Sequence, residues 1–305
     1  MKLDPKHLSQ LSVIVESGSF QMAADRLALT QPALSRNMRT LEDRIGAPLF
    51  QRDGRRSIPN ALGLKLARSG LAIRIAEEQA GNFADMAAAG SAGELRIGSP
   101  PIVAGRLLTG ALSKFITQNP NCKVELRTGL VHELRTMLER GQIDLVFGPQ
   151  SLADPVEELV FTPIIDDRVG VVCRSDHPLT KRAKIMASDL MSESWLAHSR
   201  GSLLRQQTEA AMALSGVRHM NIICETDSIR TALEILSSTD LISTMPKAST
   251  EPYLGTSLVF LNFDNPQFHR PLGVISRKNI LETPVVDGFL KFLTADVGPT
   301  RRLTL

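Results

Sequence analysis

Residues 29 to 56, LTQPALSRNMRTLEDRIGAPLFQRDGRR, concentrate side chains suited to one kind of chemistry. Gln31, Ser35, Arg36 and Arg39 recur at helical spacing, and Arg52, Arg55 and Arg56 surround an Asp-Gly pair. Glutamine matches the hydrogen-bonding edge of adenine, arginine that of guanine or a phosphate, and serine can serve either. No reactive constellation competes with that reading. The six histidines form neither H-x-x-x-H nor H-E-x-x-H, and G-x-S-x-G, P-loop and G-x-G-x-x-G patterns are missing. The expectation is therefore no catalytic residue, no metal and no cofactor. Cys122, Cys173 and Cys224 are odd in number and widely spaced, which implies no disulfide framework. Each sits in or beside an apolar strand pattern, so buried structural thiols are expected rather than a redox sensor.

Charge supports the same end of the chain. The formal net charge is +3, and residues 1 to 60 alone hold nine Lys/Arg against six Asp/Glu, again +3. Residues 61 to 92 hold three of each and the remainder 23 of each, so all the excess is in the head. A basic head on a neutral body points to a polyanion at one end only. The 305 residues call for more than one domain, and 43% hydrophobic residues suffice for their cores. No apolar run is long enough to span a bilayer, and the N-terminus lacks the pattern of a signal peptide. A cytoplasmic protein with no membrane partner is expected.

Three helices and a hairpin must position these side chains. Leu8, Leu11 and Val15 give His7 to Val15 a helical stripe. Gly18-Ser19 breaks it, and Ser19 can cap a second helix over Phe20 to Leu27. After a turn at Ala28-Leu29, Thr30 is placed as N-cap of a third helix, with Gln31 and Pro32 in its first turn, where the missing proline N–H costs nothing. Leu34, Met38, Leu41 and Ile45 form the buried stripe of that helix, and Gln31, Ser35, Arg36 and Arg39 the outer face. Leu49-Phe50, Asp53-Gly54 and Ser57-Ile58 then read as a two-stranded hairpin with a two-residue turn. A basic wing beside a recognition helix would lie over phosphates. The unit is a winged helix-turn-helix, the motif covering about 20 to 39.

The stretch GSFQMAADRLALTQPALSRNMRTLEDRIGAPLFQR resembles the DNA-binding domain of the LysR-type transcriptional regulators: G-S-F-x-x-A-A-x-x-L, then S/T-Q-P-A-L-S, then L-E-x-x-L-G-x-x-L-F-x-R. The resemblance implies that Gln31, Pro32, Ser35 and Arg36 contact DNA, together with a wing arginine. One departure follows the wing. The usual L-T-x-A-G is here Ile58-Pro59-Asn60-Ala61-Leu62-Gly63, in which Asn60 can still cap the next helix.

From Asn60 to about Ala89 a proline-free helix is expected, with Leu64, Ala67, Leu71, Ile75, Phe83 and Met86 as its apolar stripe. Gly63, Gly70 and Gly81 weaken it. In proteins of this resemblance such a linker helix pairs with a second chain. AAAGSAG, 87 to 93, reads as a hinge. The expected domains are a winged helix-turn-helix at 1–60, a linker helix and hinge at 61–91, and an effector-binding domain at 92–305.

Beyond Glu94 strands alternate with helices, which predicts α/β sheets with substantial parallel pairing. Strands are expected at 95–98, 123–128, 143–148, 169–174, 221–225, 241–244, 257–262 and 272–277, and helices at 103–117, 131–140, 203–214, 228–236 and 283–293. VELRTGLVHELRTMLERGQIDLVFGP and NIICETDSIRTALEILSSTDLISTMP share one layout: strand, Thr, helix, Asp, strand, Pro. Two similar lobes of the periplasmic-binding-protein type are therefore expected, lobe I about 92–165 and 270–305 and lobe II about 166–269. Ligands bind at the carboxyl ends of such strands, near helix N-termini. The candidate cleft residues are Ser99, Pro100, Pro101, Thr128, Gly148, Arg200, Gly201, Ser202 and Thr226, with His198, Ser199 and Asp227 on the same walls. The resemblance likewise implies that positions matching Ser99, Thr128 and the 200-to-202 loop line an effector site. Hydroxyls, helix N-termini and Arg200 together favour a small organic acid, with Arg205 one turn into the following helix. Trp195 reads as lobe packing.

A solute-binding protein would explain 94 to 305 but leaves the basic head unused, and an enzyme lacks its reactive residues. The resemblance implies a regulator that binds double-stranded DNA at an interrupted inverted repeat and answers a small-molecule effector. A homodimer assembling to a homotetramer is expected, with RNA polymerase as a further partner.

Overall fold

The structure is a computed structural model describing residues 2–53, 56–88, 93–153, 158–278 and 284–295. The chain divides into two compact units, Met1–Ser91 and Ala92–Leu305, each described by itself.

The first unit begins with helix α1, Pro5–Ser17, two residues longer at each end than the apolar stripe implies. Asp4 caps it by accepting from the Lys6 backbone N–H at 2.9 Å, and Gly18 closes it in the left-handed conformation. Ser19 caps α2, Phe20–Arg26, and Thr30 caps α3, Gln31–Ile45. Between them Ala28 adopts φ 51, a left-handed turn residue without glycine's freedom. Leu11, Ala23, Ala24, Leu34, Met38 and Leu41 fill the space between the three helices. Strands β1, Phe50–Asp53, and β2, Arg56–Pro59, pair antiparallel. Asp53, expected in the turn, is still paired in β1, opposite Arg56. Helix α4, Ala61–Ala88, follows.

The second unit holds two sheet systems. In the first, the order is β4-β3-β5-β12-β6, built from β3 (Gly93–Ser99), β4 (Cys122–Thr128), β5 (Leu145–Pro149), β6 (Leu159–Ile165) and β12 (Leu272–Arg277). Helices α5 (Arg106–Gln118) and α6 (Val131–Glu139) make the crossovers, and α10 (Pro284–Ala295) packs on α5 through Phe289 and Phe292 against Phe115. In the second, β7 (Val169–Arg174) lies between β10 (Ser243–Pro246) and β11 (Leu258–Phe260), while β8 (Ser194–Ala197) pairs with β9 (Asn221–Glu225). A bridge from Trp195 to Ile242 ties these together. Helices α7 (Leu203–Leu214), α8 (Ile229–Ser237) and α9 (Lys247–Thr250) complete it.

The two echoed segments do share an order, β4-α6-β5 and β9-α8-β10. Pairing is more mixed than alternation suggests. β3 is parallel to β4 and β5, and β8 to β9, but β12 runs antiparallel to both of its neighbours and β7 to both of its own. β6 and β8 lie outside the strands expected from the pattern, because Thr162-Pro163 interrupts the first and the second is only four residues, Ser194-Trp195-Leu196-Ala197, too short to show an alternation. Helix α5 starts three residues late, since Val103 and Ala104 donate to Pro100 O and hold a tight turn instead.

Candidate functional site

Two sites emerge, one in each unit. In the first unit, Gln31, Pro32, Arg36 and Arg39 are exposed and Ser35 half-buried on the outer face of α3. Gln31 Nε2 donates to Ser35 Oγ at 3.2 Å, so neighbouring turns of the helix hold these two side chains in a fixed relation. The helix itself is braced from behind. Asn37 Nδ2 donates to the buried Gln10 Oε1 at 2.9 Å, and Glu42 Oε1 accepts the Leu49 N–H at 2.7 Å, which fixes where the wing departs. Asn60 caps α4 by accepting from the Gly63 N–H at 2.9 Å, and its Nδ2 donates to Pro48 O at 2.8 Å. Phe20 packs on Phe50 with ring centroids 4.9 Å apart. Arg52 and Arg56 are exposed on the wing; Arg55 lies outside the described residues. Among the described residues, none of Arg36, Arg39, Arg52 and Arg56 makes an ion pair. Unneutralised cations on a rigid convex edge suit a polyanion.

In the second unit, the chain crosses between the sheet systems twice, from β6 to β7 and from the turn at Phe268 to β12. The crossings meet where the Arg270 N–H donates to Asp167 O at 2.8 Å, and Arg168 bridges His269. A hollow of about 270 Å³ opens beside this junction. Pro100, Pro101 and Ile102 line one wall with Leu130, Val131 and Glu133 at the start of α6; His198, Ser202, Leu203, Leu204 and Asp227 line the other, and Arg270 closes it. A second hollow, about 430 Å³, shares Leu203 and Arg270 and runs past Gln150, Gln206 and His269.

Pro100, Pro101, His198, Ser202 and Asp227 thus come together. The remaining expected residues do not join them. Ser99 is fully buried, its Oγ donating to Pro100 O at 3.3 Å, and it acts beneath the wall. Gly148 lies behind Pro100, whose ring a Cβ would touch at 3.4 Å. Thr128 is exposed on edge strand β4, because the alternation that buries Leu95 and Ile97 on β3 does not carry to a strand with one neighbour. Thr226 turns back to accept the Ser228 N–H. Gly201 is exposed, and Arg200 opens instead on a groove between α7 and β9. Arg205 is 4% exposed and committed to Glu209, Glu225 and the His198 carbonyl. The sequence reading missed Arg270 as a lining residue, and the entrance of α6; only the return of the chain near Arg270 was legible. Burial lowers the His198 pKa, so its imidazole is neutral at pH 7. Burial pushes Arg270 down to about 10, which still leaves it charged.

Cys122 and Cys173 are buried, with burial raising both thiols, and Cys224 is half-buried. Trp195 is buried in the core. Among the described residues no group of three or more His, Cys, Asp or Glu could hold a metal ion. No helix among them is long and apolar enough to cross a membrane.

A winged helix-turn-helix with free cations and a separate α/β unit with a lined cleft define the class of ligand-responsive DNA-binding regulators. Residues 5–64 match the bacterial regulatory helix-turn-helix proteins of the lysR family, and residues 88–298 match the LysR substrate binding domain. The chain belongs to the LysR family: it is a DNA-binding transcriptional regulator with an effector-binding domain, and not an enzyme. It is 26% identical over 282 residues to the transcriptional regulator GbpR of Azospirillum brasilense, covering 91% of this chain and 82% of that protein. It is 27% identical over 237 residues to PcaQ of Agrobacterium fabrum, covering 78% and 76%. Among solved structures, full-length CbnR complexed with its target DNA aligns with a TM-score of 0.57 at 20% identity, covering 97% of this chain and all of that one. Full-length BenM aligns with a TM-score of 0.58 at 23% identity, covering 96% of each. These two likenesses concern the fold.

Proposed function

We propose that this regulator reads its operator with Gln31, Pro32, Ser35, Arg36 and Arg39 of α3, and holds the adjacent backbone with Arg52 and Arg55 of the wing. Arg56, exposed beside them, joins the backbone contacts. The observation that carries this reading is the set of exposed, unpaired arginines on a helix capped by Thr30 and braced through Asn37 and Glu42. A helix in the major groove offers base contacts from its first turns, and the wing offers phosphate contacts. Residues 1–60 serve as the DNA-binding domain, 61–91 as linker helix and hinge, and 92–305 as the effector domain, with lobe I at about 92–165 and 270–305 and lobe II at about 166–269. The effector is a small molecule taken up in the cleft walled by Pro100, Pro101 and Ser202. It acts by shifting the populations of lobe or subunit arrangements that set the spacing of the heads. The protein works in the cytoplasm as a homodimer that assembles to a homotetramer, with RNA polymerase as its further contact.

Gel-shift titration against salt tests the DNA reading. Binding through phosphates falls steeply as salt rises, log K against log salt having a slope of about −0.9 per phosphate neutralised. A slope near zero, or no binding to any fragment from the protein's own promoter region, would overturn it.

A further inference from the structure

We propose that Arg270 is the anchor of the effector cleft and that the effector is a small monocarboxylate with an apolar body. This rests on the cleft assigned under Proposed function and names its ligand class. Arg270 is 4% exposed, yet among the described residues its guanidinium makes no hydrogen bond and no ion pair, and Nη1 is buried without a partner. Folding rarely leaves a buried guanidinium unbonded, since its desolvation is unrewarded. Arg270 lines both hollows, and a guanidinium carries five N–H donors in a fixed fork. The Asp167 carboxylate offsets part of that charge and its Oδ1 accepts the Ala248 N–H at 2.8 Å, but among the described residues no guanidinium N–H of Arg270 donates to it. The structure has therefore set aside a forked cation at the one point both lobes and both crossings share.

The remaining groups narrow the ligand. Planar, paired donors match a carboxylate. The N-terminus of α7 enters the same wall through Ser202 and Leu203 without a side-chain cap, which also favours negative charge. Two acids face the hollow, however: Glu133, which accepts the Leu130 N–H, and Asp227, which accepts the Ser199 N–H. A second negative charge on the ligand would meet them, which disfavours dicarboxylates and phosphates. The neutral His198 adds no second cation. Pro101, Ile102, Leu130, Val131 and Leu203 supply the apolar contact for the body.

Thermal unfolding of the full chain, with each compound at about 10 mM, tests this directly. The probes are the straight-chain acids from acetate to octanoate, their primary amides, their primary amines and the dicarboxylates of equal length. At least one monocarboxylate should raise Tm, its amide and dicarboxylate should not, and Arg270→Met should weaken its Kd by about tenfold or more. Should Arg270→Met fail to fold, Arg270→Lys keeps the charge but loses the fork, and the same weakening is expected. Equal shifts from acid and amide, a stronger shift from the dicarboxylate, or an unchanged Kd in the folded variant would overturn the anchor. An amide or amine that binds, and loses binding in Leu203→Trp, would keep the cleft while overturning the role of Arg270. No shift from any compound would overturn both.

Discussion

Two arginines a short distance apart in the sequence should behave differently when removed. Arg36 is exposed on the outer face of α3, the face proposed to meet base edges, and Arg56 opens the second strand of the wing, opposite Asp53. Replacing Arg36 with alanine should cost roughly 1–3 kcal/mol of specific binding and relax preference at one base pair. Arg56→Ala should weaken binding to all sequences alike and lower the salt slope by about 1. Fluorescence anisotropy on operator and scrambled duplexes at several salt concentrations separates the two, and identical behaviour of the variants would refute this docking. Cys173 offers a different residue-scale check. Burial pushes its thiol up to about 11 from an ordinary 9.0. The native state therefore keeps a proton that the unfolded chain loses, and the unfolding free energy should fall between about pH 9 and pH 11. Urea titrations across that window should show a shallower decline in Cys173→Val.

At the scale of elements, α4 is decided by two close approaches. A Cβ at Gly70 would stand 1.8 Å from Leu8 O, and one at Gly63 2.3 Å from Leu49 O. Read for propensity alone, these glycines weaken the helix; in place, they allow α4 to lie on α1 and on the root of the wing. Arg74 then reaches across to Glu16 at 3.1 Å and Ser12 at 3.2 Å. Gly70→Ala should therefore destabilise the first unit, by about 1–3 kcal/mol, although alanine is the better helix former. A gain in Tm would contradict the packing. Asn60→Ala removes both the α4 cap and the bond to Pro48 O, and should cost about 1 kcal/mol or somewhat more in chemical denaturation. Asn60→Asp, which keeps the cap acceptor but loses the donor to Pro48, should fall between.

At the scale of the molecule, one winged head offers one recognition helix, and a dimer places two on one duplex. Sedimentation of the full chain should give a dimer or larger at micromolar concentration, and footprinting an interrupted inverted repeat with half-sites spaced by whole helical turns. A monomeric species bound to a single half-site would contradict that arrangement. The second unit carries the counterpart requirement. Its two sheet systems are joined by two crossings held at Asp167 and Arg270, so a ligand bound as proposed would act at the junction of the two systems and not on one alone.

The head was legible from residues 18 to 52 because its signals are local. Caps at Ser19 and Thr30, a proline in a first turn and a stripe at Leu34, Met38 and Leu41 each act within a few residues of themselves. Helix α7 and the two echoed strand–helix–strand segments were legible for the same reason. What only tertiary structure decided is non-local. Thr128 shares the residue pattern of a buried row but stands on a strand with one neighbour, and sheet order sets that difference. Arg200, Arg205 and Arg270 are one residue type with no periodicity to tell them apart. The fold turns the first onto an outer groove, ties the second to Glu209 and Glu225, and leaves the third unbonded where the two crossings meet. A side chain's chemistry is written in its type, but its surroundings are set by packing: only the fold brings Glu225 to Arg205 and the Asp167 crossing to Arg270.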